Sequence, residues 1–160
     1  MDNLIIFCAK YVFFAAEILV LLLLLQQNRK QRLQFLLTLI SAGIVALALS
    51  KILGKLYYDP RPFVNQNIAP LIAHAPDNGF PSEHTWFTAT VASCLYLFNK
   101  QYGKLAFIVV LVVGIARVLA HLHSPIDIVG GIAVGITATY MAKLLLPKVS
   151  KSLFARPKAD

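Results

Sequence analysis

The sequence predicts an all-α protein, a membrane bundle of about five transmembrane helices. Of its 160 residues, 58% are hydrophobic and only 14% are charged, whereas a soluble domain has about 45–50% apolar and about 25% charged residues. The hydrophobic residues form long runs, and the charged residues lie in short segments between them. Both observations indicate that lipid surrounds most of the chain. A single domain is expected at this length.

Five apolar runs are the candidate spans: Leu4–Leu25, Phe35–Leu53, Thr85–Phe98, Leu105–Ala120 and Ile126–Leu146. Crossing the hydrocarbon core takes about 20 helical residues, so the third run suffices only if its polar start at Ser82 lies at the interface. The alternative, a soluble bundle of buried helices, requires charged outer faces that these runs lack. We therefore expect one membrane domain over residues 1–147 and a basic tail over residues 148–160.

The basic residues predict the orientation. They lie after the first and third runs and at or after the end of the fifth, where the only acid is Asp160: Arg29, Lys30, Arg32, Lys100, Lys104, Lys143, Lys148, Lys151, Arg156 and Lys158. Because Lys and Arg are enriched in cytoplasmic loops, we expect the N-terminus outside and the C-terminus in the cytoplasm. This placement accounts for the net charge of +8 through topology and anionic lipid rather than through nucleic acid.

Segments 54–84 and 117–127 then share the outer face. Together they carry all four histidines and most of the remaining ionisable residues: Lys55, Asp59, Arg61, His74, Asp77, Glu83, His84, Arg117, His121, His123 and Asp127. Two helix starts lie among them, one after Ser82 and one at Ser124-Pro125. Backbone N–H groups at such starts attract anions. With two arginines and a lysine nearby, we expect a phosphate site, and the apolar residues of the long loop 60–81 favour its packing over disorder.

The residues also predict a reaction. His123 and Asp127 lie four positions apart across a helix start, a spacing that permits a hydrogen bond. A carboxylate that holds one imidazole nitrogen leaves the other nitrogen free to attack phosphorus. His84 can protonate the leaving oxygen, because an imidazole titrates near neutrality. Arg61 and Arg117 can neutralise the phosphate oxygens as charge redistributes.

A metal site is the alternative use of these side chains. Four residues of metal-ligand type lie close in sequence or on the same face: His84, His121, His123 and Asp127. The neighbouring arginines would repel a divalent cation, so we expect no metal and no cofactor. His121 is interpreted as a packing residue, and His74 as either solvated or a substrate contact. Glu17, which follows Lys10 by seven positions on nearly the same helix face, is interpreted as a buried hydrogen-bond partner or a lipid or proton contact.

The same residues resemble the type 2 phosphatidic acid phosphatase superfamily, whose motifs are K-x6-R-P, P-S-G-H and S-R-x5-H-x3-D. The resemblance covers about 75 residues and follows the family order: Arg61-Pro62, then Pro81-Ser82-Glu83-His84, then Ala116-Arg117 with His123 and Asp127. It implies that His123 is the nucleophile, that Asp127 orients it and that His84 is the acid. It also implies that the phosphate is held, without metal, by Arg61, Ser82 and Arg117.

Three positions depart from that pattern. Lys55 precedes Arg61 with five intervening residues instead of six, which rotates it by about 100° around a helix; its phosphate contact is therefore doubtful, and Lys51 is placed no better. Ala116 replaces the serine. Glu83 replaces the glycine, and this carboxylate is expected either to contact the substrate or to favour protonation of His84.

Glu83 narrows the resemblance to one group within the superfamily. Residues 59–63 and 74–84 resemble the bacterial bacitracin-resistance type of undecaprenyl-diphosphatase, which carries an acid at the glycine position. That resemblance implies hydrolysis of undecaprenyl diphosphate to the monophosphate cell-wall carrier through a phosphohistidine, at the outer face of the bacterial cytoplasmic membrane. Phosphatidylglycerol phosphate, phosphatidic acid and lipid A phosphates remain alternative substrates. A lipid-binding or lipid-moving protein with a retained anion site also remains open, although it would not need His84, His123 or Asp127.

Overall fold

The computed structural model describes the backbone of residues 1–153 and the side chains of residues 1–146. Within these bounds the helices are α1 (Asp2–Tyr11), α2 (Phe14–Gln26), α3 (Arg29–Leu56), α4 (Pro62–Asn65), α5 (Glu83–Phe98), α6 (Lys100–Leu119) and α7 (Pro125–Leu153). The predicted all-α class is confirmed. The predicted basic tail, residues 148–160, lies outside the residues whose side chains are described.

Helix α5 is the centre of the bundle and packs against α2, α3, α6 and α7. Its 16 residues span about 24 Å, less than the hydrocarbon core of about 30 Å. Protein surrounds its middle part, where residues 88–95 are all buried. A helix in this position can carry hydroxyls, and Thr88 and Thr90 donate theirs to the carbonyls of His84 and Trp86 one turn earlier.

Of the about five predicted spans, three or four qualify by length and composition among the described residues. Three helices, α3, α6 and α7, are long and apolar enough to cross a membrane, and α1 with α2 forms a fourth candidate that bends by 41°. The third predicted run corresponds to α5, which has only 16 residues, so its crossing stays a prediction. The first predicted run is interrupted at residues 12–13, so Lys10 lies in α1 and Glu17 in α2. The expectation that they share one helix face is therefore wrong.

The bend allows α1 to cover one end of the bundle. Ala9 of α1 packs against Ala116 and Ala120 near the end of α6, together with Leu71 and Ile72 of the long loop. The loop is also tied to α6 by a hydrogen bond from the Leu71 N–H to the Ala120 carbonyl at 3.2 Å. The expectation that this loop packs is confirmed.

At the opposite end of the bundle, two asparagines cap the helices that begin after short turns. Asn28 begins α3 with a reciprocal capping box, in which its side chain accepts from the Gln31 N–H and the Gln31 side chain accepts from the Asn28 N–H. Asn99 begins α6 and accepts from the N–H groups of Gln101 and Tyr102. These short turns bring the end of α3, the start of α5, the end of α6 and the start of α7 together at the end that α1 covers.

Candidate active site

A cavity of about 270 Å³ opens at that end, between α3, the long loop, α5 and α6. Its ionisable lining residues are Lys51, Arg61, His74, Asp77, Glu83, His84, Arg117 and His123. The structure therefore brings together most of the residues that the sequence predicted for the site. Among them, Arg61, Arg117 and His123 are almost fully buried, with at most 5% of their surface exposed. Burial of two guanidinium groups is costly unless an anion completes the site.

His123 is held from both sides of its ring. Its Nδ1 lies 3.2 Å from Oδ2 of the buried Asp127, as the spacing predicted. Its Nε2 lies 3.3 Å from Nη1 of Arg61 and 3.4 Å from Nη2 of Arg117. Guanidinium nitrogens can only donate, so Nε2 is the acceptor and the ring proton sits on Nδ1, facing Asp127. The arrangement leaves the Nε2 lone pair directed at the two cations.

The same surroundings set the proton affinity of His123. Burial lowers the pKa of its imidazole, and the charges of Arg117 and Arg61 lower it further. The hydrogen bond and charge of Asp127 act in the opposite direction, but the net pKa stays below the ordinary value of 6.5. At neutral pH the ring is therefore uncharged, which is the form in which Nε2 can act as a nucleophile.

At the end of α6 the backbone reverses direction, which places His123 beside Arg117. The N–H of His121 bonds to the Val118 carbonyl and the N–H of Leu122 to the Arg117 carbonyl, which is the Schellman pattern. His121 occupies its left-handed position, with φ of 60°. The prediction that His121 serves packing rather than chemistry agrees with this role, since it does not line the cavity.

The start of α7 fixes Asp127. As predicted, Ser124 precedes the helix and Asp127 lies in its first turn, where Oδ2 accepts from the Ser124 N–H at 2.9 Å as well as from His123. The Ser124 hydroxyl does not complete the expected cap; it donates to the carboxylate of Asp59. Asp59 thereby anchors the segment that carries the histidine. The sequence assigned Asp59 no such contact, because the two residues lie 65 positions apart.

Arg61 is positioned by two acceptors. Its Nε donates to Oδ1 of Asp77 at 2.6 Å and its Nη1 donates to the Leu122 carbonyl at 2.9 Å. Burial alone would raise the pKa of Asp77, but the hydrogen bond and charge of Arg61, aided by His74, bring the pKa below its ordinary value. Asp77 is therefore ionised and pairs with the arginine. His74 lines the cavity next to this pair, 3.9 Å from Asp77.

Asn78 anchors the loop to the end of α3 with all four of its hydrogen-bonding positions. Its Oδ1 accepts from the N–H groups of Asp59 and Phe80, and its Nδ2 donates to the carbonyls of Gly54 and Tyr57. The neighbouring Gly79 approaches the site so closely that a Cβ there would lie 2.7 Å from Oδ2 of Asp127. The only sequence signal for this role is the Asp77-Asn78-Gly79 turn.

Helix α5 contributes Glu83 and His84 from its first turn, and both line the cavity. Ser82 begins α5 as predicted, but its side chain makes no capping hydrogen bond. It is fully buried outside the cavity lining, where its hydroxyl accepts from Thr85 and its N–H bonds to the Asp127 carbonyl at 3.1 Å. The Ser82 side chain thus lies outside the cavity lining, and its contact with phosphate stays a prediction.

The lysines also require a correction. Lys55 is exposed and does not line the cavity, whereas Lys51 does. The expectation that Lys51 is placed no better than Lys55 is wrong. The residue with six positions between it and Arg61 is Gly54, and Lys51 lies one turn earlier on nearly the same face of α3. A long side chain can make up the difference of one turn.

These features can be set against known proteins. The model of the PAP2 superfamily matches residues 31–151. The chain belongs to the PAP2 superfamily. It is thus a PAP2 lipid phosphatase, and its apolar helices make it a multi-pass membrane protein.

Three relatives match most of the chain. Bacitracin transport permease protein BcrC of Bacillus licheniformis is 32% identical over 90% of this chain and 71% of its own length. Undecaprenyl-diphosphatase BcrC of Bacillus subtilis is 29% identical, over 88% of this chain and 72% of its own. The putative undecaprenyl-diphosphatase YbjG of Escherichia coli is 29% identical, over 98% of this chain and 79% of its own.

Two solved structures share the fold. LpxE from Aquifex aeolicus aligns with a TM-score of 0.70, at 24% identity, over 89% of this chain and 84% of its own. The transmembrane PAP2-type phosphatidylglycerolphosphate phosphatase from Bacillus subtilis aligns with a TM-score of 0.55, at 24% identity, over 92% of this chain and 69% of its own.

Proposed function

We propose that this phosphatase hydrolyses undecaprenyl diphosphate to undecaprenyl phosphate and inorganic phosphate, at the outer face of a bacterial cytoplasmic membrane. The observation that carries the chemistry is His123, whose neutral ring presents Nε2 to two buried arginines. The substrate is supported by the relatives from Bacillus subtilis and Escherichia coli that bear the name undecaprenyl-diphosphatase.

Phosphate binding rests on the cations of the cavity. Arg61 and Arg117 would direct their donors at the oxygens of the terminal phosphate, with Lys51 above them on α3. An arginine pair that is fixed before the substrate arrives stabilises the charge that spreads over these oxygens in the transition state. The proposed reaction therefore needs no metal ion and proceeds in EDTA.

The first step forms a covalent intermediate. Nε2 of His123 attacks the terminal phosphorus, and a P–N bond forms as the bond from phosphorus to the bridging oxygen breaks. The bridging oxygen leaves with the bonding electrons and takes a proton from His84. Burial and the charge of Arg117 lower the pKa of His84 to about 4, and the negative charge of the bound diphosphate would raise it, so that His84 takes up its proton together with the substrate. Asp127 stabilises the positive charge on the phosphorylated imidazole through its hydrogen bond to Nδ1. The lipid leaves as undecaprenyl phosphate.

The second step restores the enzyme. A water molecule attacks the phosphorus of the phosphohistidine and gives its proton to His84, which is now neutral. The P–N bond breaks, its electrons return to Nε2, and inorganic phosphate leaves. His123 is again neutral and His84 is again protonated, so the two steps balance. Glu83, which lines the cavity beside His84, would contact the substrate.

The printed name of the Bacillus licheniformis relative, a transport permease, corresponds to the alternative of a lipid-moving protein. Such a protein would need only the anion site formed by Arg61 and Arg117. The buried pair of His123 and Asp127, with its proton on the far side of the ring from the cations, favours the enzyme. The competing lipid substrates are phosphatidylglycerol phosphate, phosphatidic acid and lipid A phosphates.

The test measures phosphate release by the detergent-solubilised full chain in EDTA, from undecaprenyl diphosphate, phosphatidylglycerol phosphate and phosphatidic acid. We expect the highest kcat/KM on the diphosphate. The His123→Ala variant should lose phosphate release, and label from terminally ³²P-labelled substrate should remain bound after an alkaline quench only in the wild type.

His121→Asn is the matched control, because it removes a histidine two positions away that lies outside the cavity, and asparagine tolerates its left-handed backbone. It should release phosphate as the wild type does. Persistent activity in His123→Ala would overturn the nucleophile. Higher kcat/KM on phosphatidylglycerol phosphate would overturn the substrate but leave the mechanism intact.

A further inference from the structure

A second cavity, of about 250 Å³, adjoins the catalytic one. Its apolar walls are the aromatic side chains of Phe13, Trp86 and Phe87, a set we call the tail groove, and Glu83 and His84 complete it. Both of these last residues also line the catalytic cavity. The two cavities therefore meet across the first turn of α5.

The bend between α1 and α2 creates one wall of the tail groove. It places Phe13 so that its ring meets the ring of His84 edge to face, with centroids 5.5 Å apart and planes at 86°. Trp86 and Phe87 follow His84 along α5. Phe87 is 43% exposed on the outside of the bundle, where lipid surrounds the helices. The tail groove thus leads from the catalytic acid to the apolar exterior.

We infer that the tail groove holds the isoprene units nearest the diphosphate of the polyprenyl substrate. This inference rests on the proposed function, in which His84 protonates the bridging oxygen of the leaving undecaprenyl phosphate. Because the bridging oxygen lies at His84, the lipid phosphate bonded to it, and the polyprenyl chain beyond that phosphate, leave the catalytic cavity on that side. The aromatic walls found there can bury the apolar carbon of the chain. His123 and the arginines then hold the opposite end of the substrate.

The structure offers a probe that does not depend on catalysis. Trp86 is the single tryptophan of the chain, and it lines the tail groove. Titrating the detergent-solubilised full chain with undecaprenyl phosphate should therefore change the tryptophan fluorescence. Inorganic phosphate and isopentenyl phosphate, whose chain has five carbons, should bind at the arginines without a comparable change.

Variants of Phe87 test whether the tail groove contacts the polyprenyl chain itself. Phe87→Ala should weaken undecaprenyl phosphate binding about tenfold and raise KM for undecaprenyl diphosphate similarly, while kcat/KM for isopentenyl diphosphate changes less than about twofold. Phe87→Leu should restore most of the affinity. Phe7→Ala is the control, since Phe7 is 55% exposed on α1 and does not line the groove.

Two results would overturn the tail groove: unchanged fluorescence on adding undecaprenyl phosphate, or equal losses in Phe87→Ala on the long and short substrates. A wild type that binds undecaprenyl phosphate with a change in Trp86 fluorescence, but releases no phosphate from the diphosphate, would contradict the proposed function and support the groove.

Discussion

His123 has one anionic neighbour and two cationic ones, and each has a separate effect. Asp127 determines which nitrogen carries the proton, since only Nδ1 faces it. Arg61 and Arg117 oppose a second proton, because protonated imidazole would add a third buried positive charge. A neutral ring of defined tautomer follows from these contacts.

The lowered pKa of His123 predicts a dependence of stability on pH. In the unfolded chain the imidazole takes up its proton near pH 6.5, whereas in the folded chain its pKa lies lower. As pH falls through that interval, the unfolded state binds more protons and the free energy of unfolding decreases. We expect the Tm of the wild type in detergent to fall more steeply between pH 8 and pH 5.5 than that of His123→Gln. Parallel curves would contradict the lowered pKa.

The two lysines of α3 provide a matched pair. Lys51 lines the cavity and Lys55 does not, although Lys55 lies nearer Arg61 in the sequence. Loss of a charge-assisted contact to phosphate costs about 1.5–3 kcal/mol, so Lys51→Ala should raise KM for undecaprenyl diphosphate by about tenfold or more. Lys55→Ala should leave KM within about twofold. Steady-state phosphate release decides between them, and the reverse order would restore Lys55 to the site.

At the scale of elements, the approach of α7 to α5 depends on glycine. A Cβ at Gly135 would lie 2.6 Å from the backbone nitrogen of Thr90, so the helices could not keep their present distance. The contact is reinforced by Thr139, whose hydroxyl lies 3.4 Å from the Thr90 carbonyl. Small residues at helix contacts are the usual means of close packing within membranes.

Gly135→Ala should therefore lower the free energy of unfolding, by about 1–3 kcal/mol as for other overpacked interiors. Gly43→Ala is the control, since a Cβ at Gly43 meets nothing within 4 Å. That substitution should be neutral or stabilising by up to about 1 kcal/mol, because alanine favours helix over glycine. Thermal unfolding in detergent measures both. Equal Tm values for the two variants would show that α5 and α7 can move apart without a loss of stability.

The hydrophobic runs and the residues that begin or end helices predicted most helices, but not which of them are enclosed by protein. The polar start at Ser82 and the Ser124-Pro125 step mark the starts of α5 and α7 correctly. The bend at residues 12–13 left no such mark, because no proline or glycine lies there and the run is apolar on both sides except for Lys10 and Glu17. On the α1 side of the bend, Ala9 packs on the end of α6, a tertiary contact that hydropathy does not report. Hydropathy likewise could not show that α5 is enclosed by protein.

The contacts of the candidate site likewise divide into those that the sequence could predict and those that it could not. Residues close in sequence, such as His123 and Asp127, could be paired from their spacing. Asp59 with Ser124, and Arg61 with Asp77, are brought together across the bundle, and one sequence carries no record of such contacts. A family motif names the residues that touch phosphate, but it does not name those that hold them in place.

At the scale of the whole molecule, the described positive charges are distributed unequally between the two ends of the bundle. Five exposed cations lie near the asparagine turns: Arg29, Lys30, Arg32, Lys100 and Lys104. At the opposite end Lys51 and Lys55 are exposed, and Arg61 and Arg117 are buried. The larger number of exposed cations predicts that the asparagine turns face the cytoplasm. The catalytic cavity then opens on the outer side.

This orientation can be tested with single cysteines. Gln66→Cys reports on the cavity end and Gln101→Cys on the opposite end, and both glutamines are exposed. Asn78 is unsuitable because its side chain anchors the loop. With Cys8 and Cys94 replaced by serine and alanine, a membrane-impermeant maleimide should label Gln66→Cys in intact cells and Gln101→Cys only after lysis. The reverse pattern would place the cavity in the cytoplasm.

The burial of Arg117 has a consequence for the empty enzyme. The residue is 4% exposed, and its Nε has no hydrogen-bond partner among the described residues. A cation enclosed in this way raises the free energy of the folded chain until an oxyanion arrives. Ligand binding and folding are therefore thermodynamically linked in this molecule. The phosphate group of the substrate therefore neutralises a buried charge, and the folded enzyme should be more stable with phosphate bound than without it.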